Sequence, residues 1–201
     1  MNNLEKIQNI LPLGYLYLVV LGILKESVVF YQLGINILKY STITDVLMSP
    51  IAVITSHPLI FLVFVLASLY PVLMRYIFLK HSDKKWARPI FGISKNKNEM
   101  NEEEKEAFGN SLLIKIGLMF YLSIFLGIAF QEGRMLSKNI KNNKLKYEYQ
   151  LTYNTDNSEL VSLINTNNEY YFYVVKGTKE ITIAPTSSIK FIKLVDNKML
   201  K

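Results

Sequence analysis

The chain has 201 residues, half of them hydrophobic, and a formal net charge of +7. A soluble globular domain has similar totals, so the distribution of the residues is more informative than their number. The hydrophobic residues gather in long blocks, and the charged residues gather between the blocks. The chain contains no Cys, which excludes disulfides, thiolate nucleophiles and cysteine-based metal sites.

Three apolar blocks are long enough to cross a bilayer, whose hydrocarbon core requires about 20 helical residues. We predict membrane spans at about 11–31, 58–79 and 112–130. No small-residue cleavage site follows the first block, so we interpret it as a retained anchor. Residues 42–55 include Asp45 and Pro50, which favours an interfacial or re-entrant helix there over a fully spanning one.

The periodicity of the sequence changes after the third block. Apolar residues alternate with polar ones at Leu145, Tyr147, Tyr149, Leu151 and Tyr153, a period of two that is typical of a strand. Further strand-like runs, separated by turn residues, follow at 159–164, 169–176, 180–184 and 188–195. We expect about five short strands in a small meander or SH3-sized barrel. The core of so small a sheet is thin, so we expect the sheet to pack against a second copy, a partner or the membrane helices.

The predicted fold class is therefore an α-helical membrane protein with a small C-terminal all-β domain. It has about three transmembrane helices and the additional helix at 42–55. The predicted domains are a helical domain at 1–135, which includes a basic loop at 80–110, and a β-rich soluble domain at 145–198.

The distribution of positive charge bears on the orientation in the membrane. The loop at 80–110 holds seven Lys or Arg residues and the connector at 131–146 holds five, which narrowly favours a cytoplasmic loop and an extracytoplasmic β domain. The richness in Asn, Lys and Ile is typical of an AT-rich bacterial genome. We therefore expect a multi-pass protein of the bacterial inner (cytoplasmic) membrane.

Charged residues inside the apolar blocks are the first candidate site. These intramembrane polar candidates are Lys25, Glu26, Arg75 and Lys115. Charges within an apolar run often face a cavity, a partner or an ion path, so Lys25 and Glu26 could form a relay or fix the helix register. The alternative, which we favour, is that the pair lies at the outer interface, where charges cost little. Arg75 and Lys115 could extend towards the basic loop.

Two further groups are candidate contact surfaces. Basic residues around a Trp are typical of a membrane-interface anchor, here Lys80, Lys84, Lys85, Trp86 and Arg88. Tyrosines of the β domain are candidates for an interaction surface: Tyr147, Tyr149, Tyr153, Tyr171 and Tyr173. For these rings, ordinary cross-strand packing is the favoured alternative.

The sequence has no Gly-rich phosphate loop, Ser-His-Asp set, His-Glu-x-x-His motif or paired carboxylates. We therefore expect no enzyme activity, no cofactor and no metal site. The basic residues lie beside apolar blocks, so the lipid bilayer is favoured over nucleic acid as their partner.

We expect an oligomerising membrane anchor, effector or accessory subunit whose β domain binds or regulates, as a homo-oligomer or within a larger membrane complex. The alternative is a small channel or transporter component with a polar intramembrane path. In general layout the chain is similar to the short multi-span proteins of bacterial anti-phage systems. That similarity implies a pore and a role in antiviral defence, while an envelope function without transport remains open.

Overall fold

The structure is a computed structural model that describes residues 3–56, 58–82, 84, 86–93 and 100–195. Within these ranges the helices are α1 (Asn3–Tyr31), α2 (Ile43–Thr55), α3 (Pro58–His81), α4 (Ala87–Phe91) and α5 (Glu102–Lys141). The strands are β1 (Tyr149–Tyr153), β2 (Ser158–Thr166), β3 (Tyr170–Val175), β4 (Ile181–Pro185) and β5 (Ile189–Leu194). The chain divides into two compact units, one of Met1–Pro50 with Leu126–Lys201 and one of Ile51–Phe125.

Three helices of the described residues are long and apolar enough to cross a membrane, as predicted. These stretches are Leu11–Tyr31, Pro58–His81 and Glu102–Lys141. Their length and composition are consistent with a membrane protein. Most of the apolar surface of α3 is exposed, since only 11% of its most apolar stretch is buried.

The additional helix predicted at 42–55 is present as α2, and its first turn explains its acidic residue. The Asp45 carboxylate accepts hydrogen bonds from the Thr42 backbone N–H at 2.8 Å and the Thr42 hydroxyl at 2.7 Å. In return, the Thr42 hydroxyl oxygen accepts the Asp45 N–H at 3.2 Å. This reciprocal arrangement caps the free N–H groups of the helix start.

Helix α5 is longer at both ends than the predicted span at 112–130. It starts at a capping box, in which Asn101 Oδ1 accepts the Glu104 N–H at 2.7 Å and Glu104 Oε2 accepts the Asn101 N–H at 3.3 Å. It then continues through most of the expected basic connector, which contains no Pro. The helix ends where Asn143 adopts a left-handed conformation (φ 54°), and the Lys144 N–H donates to the Asn139 carbonyl at 2.9 Å.

The unit Ile51–Phe125 has an aromatic core near the basic loop. Phe78 is fully buried, with its ring centroid 5.3 Å from that of Phe91 and 4.9 Å from that of Phe108. Gly92 ends α4 at a positive φ of 68°, a conformation that costs glycine little. These contacts hold α4 against α3 and the start of α5.

The five predicted strands are confirmed as one antiparallel sheet of the order β4-β3-β2-β1-β5. Strands β1 to β4 form a meander, and β5 returns to pair with β1. The alternation of side chains places Phe172 and Tyr173, both buried, on opposite faces of β3. Tyr173 packs with Leu151, Val161 and Ala184 in the core of the sheet itself.

Phe172 belongs to a different cluster, which joins the sheet to the helices of the same unit. It is buried with Val29, Phe30, Ile37 and Ala129, and its ring centroid lies 5.2 Å from that of Phe30. The sheet therefore packs against α1 and α5. Packing against the helices was one of the three possibilities that the sequence suggested. The division into a helical domain at 1–135 and a β domain at 145–198 stays a prediction.

Candidate functional site

Lys25 and Glu26 lie near the end of α1 and are both buried, at 8% and 7% exposure. Lys25 Nζ lies 3.0 Å from Glu26 Oε1 and 3.3 Å from Glu132 Oε2. The Ser49 hydroxyl donates to Glu26 Oε1, and Asn165 Nδ2 donates to Glu26 Oε2 at 3.5 Å. We call these five residues the polar cluster. It brings together α1, α2, α5 and β2, within the unit of Met1–Pro50 and Leu126–Lys201.

The apolar surroundings of the polar cluster make its pairing necessary. Leu21, Val29 and Phe30 of the same helix are buried, so the two charges are removed from solvent. A buried charge is costly unless it is paired and hydrogen-bonded. One cation faces two carboxylates, and the second carboxylate, that of Glu132, keeps contact with solvent, since its side chain is 37% exposed.

Two glycines allow the helices to approach closely beside the polar cluster. A Cβ on Gly22 would overlap the backbone carbonyl of Val46. Gly22 lies one turn before Glu26, and Val46 lies three residues before Ser49, so this contact lets the serine reach the carboxylate. A Cβ on Gly133 would lie 2.8 Å from the Val29 carbonyl oxygen. Gly133 lies beyond the predicted third span at 112–130, so the close approach extends past the apolar block.

The turn between β2 and β3 contacts the segment that joins α1 to α2 and the first turn of α2. Asn167 Nδ2 donates to the Tyr40 carbonyl at 2.8 Å, and the Asn168 N–H donates to Asp45 Oδ1 at 3.4 Å. The rings of Tyr40 and Tyr170 meet edge to face, with centroids 5.4 Å apart. The sequence predicted a turn between the strand-like runs at 159–164 and 169–176, but nothing in it indicated what the turn would contact.

The other predicted intramembrane candidates lie in the second unit, Ile51–Phe125. Arg75 Nη2 lies 2.5 Å from Glu106 Oε2, and Arg75 Nε donates to Asn110 Oδ1 at 3.0 Å. Lys115 is exposed. The structure thus joins Lys25 to Glu26 but distributes the four candidates over both units, and their role stays a prediction.

The predicted membrane-interface residues are mostly on the surface. Lys80, Lys84 and Trp86 are exposed, and Arg88 is half-buried. Lys80 Nζ lies 5.7 Å from the ring centroid of Tyr76, a cation–π contact. Lys85 lies outside the described residues. Contact of this group with lipid stays a prediction.

The tyrosines predicted as an interaction surface are buried or half-buried. Tyr173 is buried, and Tyr147, Tyr149 and Tyr171 are half-buried. The Tyr153 hydroxyl donates to Glu159 Oε2 at 2.5 Å and lies 2.8 Å from the Tyr173 hydroxyl. Burial first, and then these hydrogen bonds, raise the pKa of Tyr153 above its ordinary value. Their role in binding a partner stays a prediction.

Comparison with known proteins finds no matching family model, no matching curated protein and no matching solved structure. In the part of the chain that the structure describes, no group of three or more His, Asp or Glu side chains could hold a metal ion.

Proposed function

We propose that this chain is a multi-pass protein of the bacterial inner membrane in which the β-sheet regulates the helices that anchor it. It acts as an oligomerising effector or as an accessory subunit of a larger membrane complex, in a defence or envelope system. The observation that carries the proposal is the polar cluster, because it is complete only when the sheet contacts α1, α2 and α5 together.

Two contacts, one polar and one apolar, couple the sheet to the helices. Asn165 supplies a hydrogen bond to the buried Glu26 carboxylate, and Phe172 fills the apolar cluster beside it. If a partner displaces the sheet, Glu26 loses a donor and the apolar cluster loses its central ring. Both losses destabilise the helix arrangement, so binding at the sheet shifts the equilibrium of the helices.

The membrane location is supported by the surface of the helices. Large apolar side chains are exposed along the apolar helices, including Leu13 and Leu16 of α1 and Phe61 and Leu62 of α3. Continuous apolar surface of this extent needs lipid or another protein surface to cover it. We propose that lipid and further copies of the chain cover it. The charge distribution favours loop 80–110 in the cytoplasm and the sheet outside.

Asn165→Ala tests the coupling in the full chain, with the exposed Asn142→Ala as the matched control. In membranes of cells that overexpress the protein, we expect Asn165→Ala to change membrane depolarisation or the size of the purified oligomer. Asn142→Ala should behave as the unmodified chain. The proposal fails if the protein stays in the soluble fraction, or if both variants match the unmodified chain in depolarisation and oligomer size.

A channel or transporter component is the second candidate, favoured by one observation. Lys25 of the buried Lys25–Glu26 pair also pairs with Glu132, whose side chain is partly exposed to solvent. Charged groups therefore connect the interior of the unit to its surface. Glu26→Gln and Lys25→Gln should then change ion flux in proteoliposomes, while the exposed Glu180→Gln should not. Unchanged flux in both cluster variants would remove this candidate.

A further inference from the structure

A row of basic residues follows Phe130, an exposed apolar residue of α5 at the end of the predicted third span. Phe130, Arg134, Lys138 and Lys141 are spaced by four, four and three residues, which places them on one face of the helix. All four are exposed, Phe130 at 57%. We call Arg134, Lys138 and Lys141 the basic stripe. Along this face, the surface changes from apolar to positively charged within one helical turn.

The sheet adds a fourth cation to the same place. Lys179, in the turn between β3 and β4, donates from Nζ to the Lys141 carbonyl oxygen at 3.0 Å. Its ammonium therefore lies at the end of α5, where the free carbonyl groups favour a cation. The stripe and Lys179 come from separate elements, and the fold brings them together.

Neighbouring acidic residues leave this charge largely uncompensated. Glu132 lies about 200° around the helix from Arg134 and pairs with the buried Lys25. Glu180 is exposed and follows Lys179. Among the described residues, no ion pair includes Arg134, Lys138, Lys141 or Lys179.

With Phe130, the end of the predicted third span, at the edge of the hydrocarbon, the stripe begins within the head-group layer of a bilayer. Arg134 lies about 6 Å along the helix from Phe130, Lys138 about 12 Å and Lys141 about 16 Å. The head-group layer of each leaflet is about 5–8 Å thick. Arg134 thus lies within this layer, and the flexible Lys138 can extend back towards it. Lys141 and Lys179 lie about 8–11 Å beyond it, close to one Debye length of about 8 Å, where attraction is weaker but not lost.

We propose that the basic stripe and Lys179 form a binding surface for anionic phospholipid head groups, in the leaflet on the side of the sheet. This inference rests on the proposed function, because it requires α5 to cross the membrane. The binding would hold the sheet at the membrane surface beside the polar cluster. Nucleic acid fits less well, because the four cations adjoin the exposed apolar surface of a helix that would be embedded in lipid.

Native mass spectrometry of the full-length protein in mild detergent tests the proposal, with phosphatidylglycerol and phosphatidylcholine supplied in equal amounts. Each basic residue near an anionic surface changes partitioning by about fivefold, so phosphatidylglycerol should be preferred by about tenfold or more. Arg134→Gln with Lys138→Gln should remove most of this preference. The matched control, Lys190→Gln with Lys193→Gln, removes the same charge from β5 and should retain the preference.

Equal binding of the two lipids, or an equal loss in both double variants, would overturn the proposal. Tighter binding of a short single-stranded RNA than of phosphatidylglycerol would also overturn it. If the variant with Arg134→Gln and Lys138→Gln does not fold, Lys179→Gln alone should lower the preference for phosphatidylglycerol by about fivefold. Alkaline carbonate extraction distinguishes the two proposals. Release of the unmodified chain from membranes contradicts the proposed function, whereas retention without a lipid preference contradicts only the head-group site.

Discussion

The Lys25 ammonium lies 3.3 Å from the Glu132 carboxylate, so a single cation joins α1 to α5 inside the protein. The same ammonium lies 3.0 Å from Glu26, and both residues of α1 are buried. Lys25 is thus a structural link between two helices of one unit. Its two carboxylate partners, Glu26 and Glu132, differ in exposure, and this difference leads to a first prediction.

Lys25→Met should lower the free energy of unfolding by about 3 kcal/mol, because Glu26 would remain buried without a cation. Glu132→Gln should cost only about 1 kcal/mol, because Lys25 keeps Glu26 and the Glu132 side chain is partly exposed. Thermal unfolding in mild detergent measures both. The exposed pair Lys190–Asp156 provides a control, since Lys190→Gln should change stability little. Equal losses in the two cluster variants would contradict this ranking.

Gly22→Ala should separate α1 from α2, because the added methyl group would overlap the Val46 carbonyl. We expect a loss of at least about 2 kcal/mol, comparable to overpacking in a core. Gly14→Ala is the matched control in the same helix, because no atom lies within 4 Å of its Cβ position. It should be neutral or stabilising by up to about 1 kcal/mol, through helix propensity. Melting temperatures that fall equally in both variants would disprove the close contact.

Phe172→Ala should weaken the attachment of the sheet by about 3–5 kcal/mol, because it leaves a cavity among buried apolar residues. Phe191→Ala on β5 removes an equally large ring that is 42% exposed, so its cost should be much smaller. Limited proteolysis of residues 142–148, between α5 and β1, measures the attachment directly. Faster cleavage is expected only for Phe172→Ala. Unchanged cleavage in that variant would show that the ring does not hold the sheet.

Tyr153 should make the sheet sensitive to alkaline pH. Its pKa is raised in the folded state, so the phenol of the unfolded chain, with a pKa of about 10, loses its proton first. The stabilising contribution is therefore complete below about pH 10 and is lost as pH rises from there through the folded pKa. Thermal unfolding at about pH 8 and about pH 11 should show a larger decrease for the unmodified chain than for Tyr153→Phe. An identical decrease in both proteins would count against the raised pKa.

The strands and spans were predictable because they depend on local patterns. Alternation of apolar and polar residues located β1, and strand-like runs between turn residues located β2 to β5. Continuous apolar runs located the three helices. The extension of α5 to Lys141 was not predictable in this way, because its polar final turns lack apolar continuity. Its end depends on the left-handed Asn143, a conformation that Asn tolerates but does not require.

The candidate site was only half predictable for a related reason. Lys25 and Glu26 stood out because they interrupt an apolar run. Their partners Ser49, Glu132 and Asn165 are ordinary polar residues in segments distant along the chain. Tertiary packing alone brings them together, and the backbone approach of Gly22 to Val46 places Ser49 within reach of Glu26.

The order of the polar cluster along the chain has a consequence for biosynthesis. Lys25 and Glu26 belong to the first helix, whereas Glu132 and Asn165 lie in the later part of the chain. During synthesis the N-terminal part emerges and folds first. In the proposed membrane location, α1 would therefore enter the bilayer with its charges paired only to each other. The polar cluster is complete only after β2 has been made, so a strand translated later satisfies the charges of a helix inserted earlier.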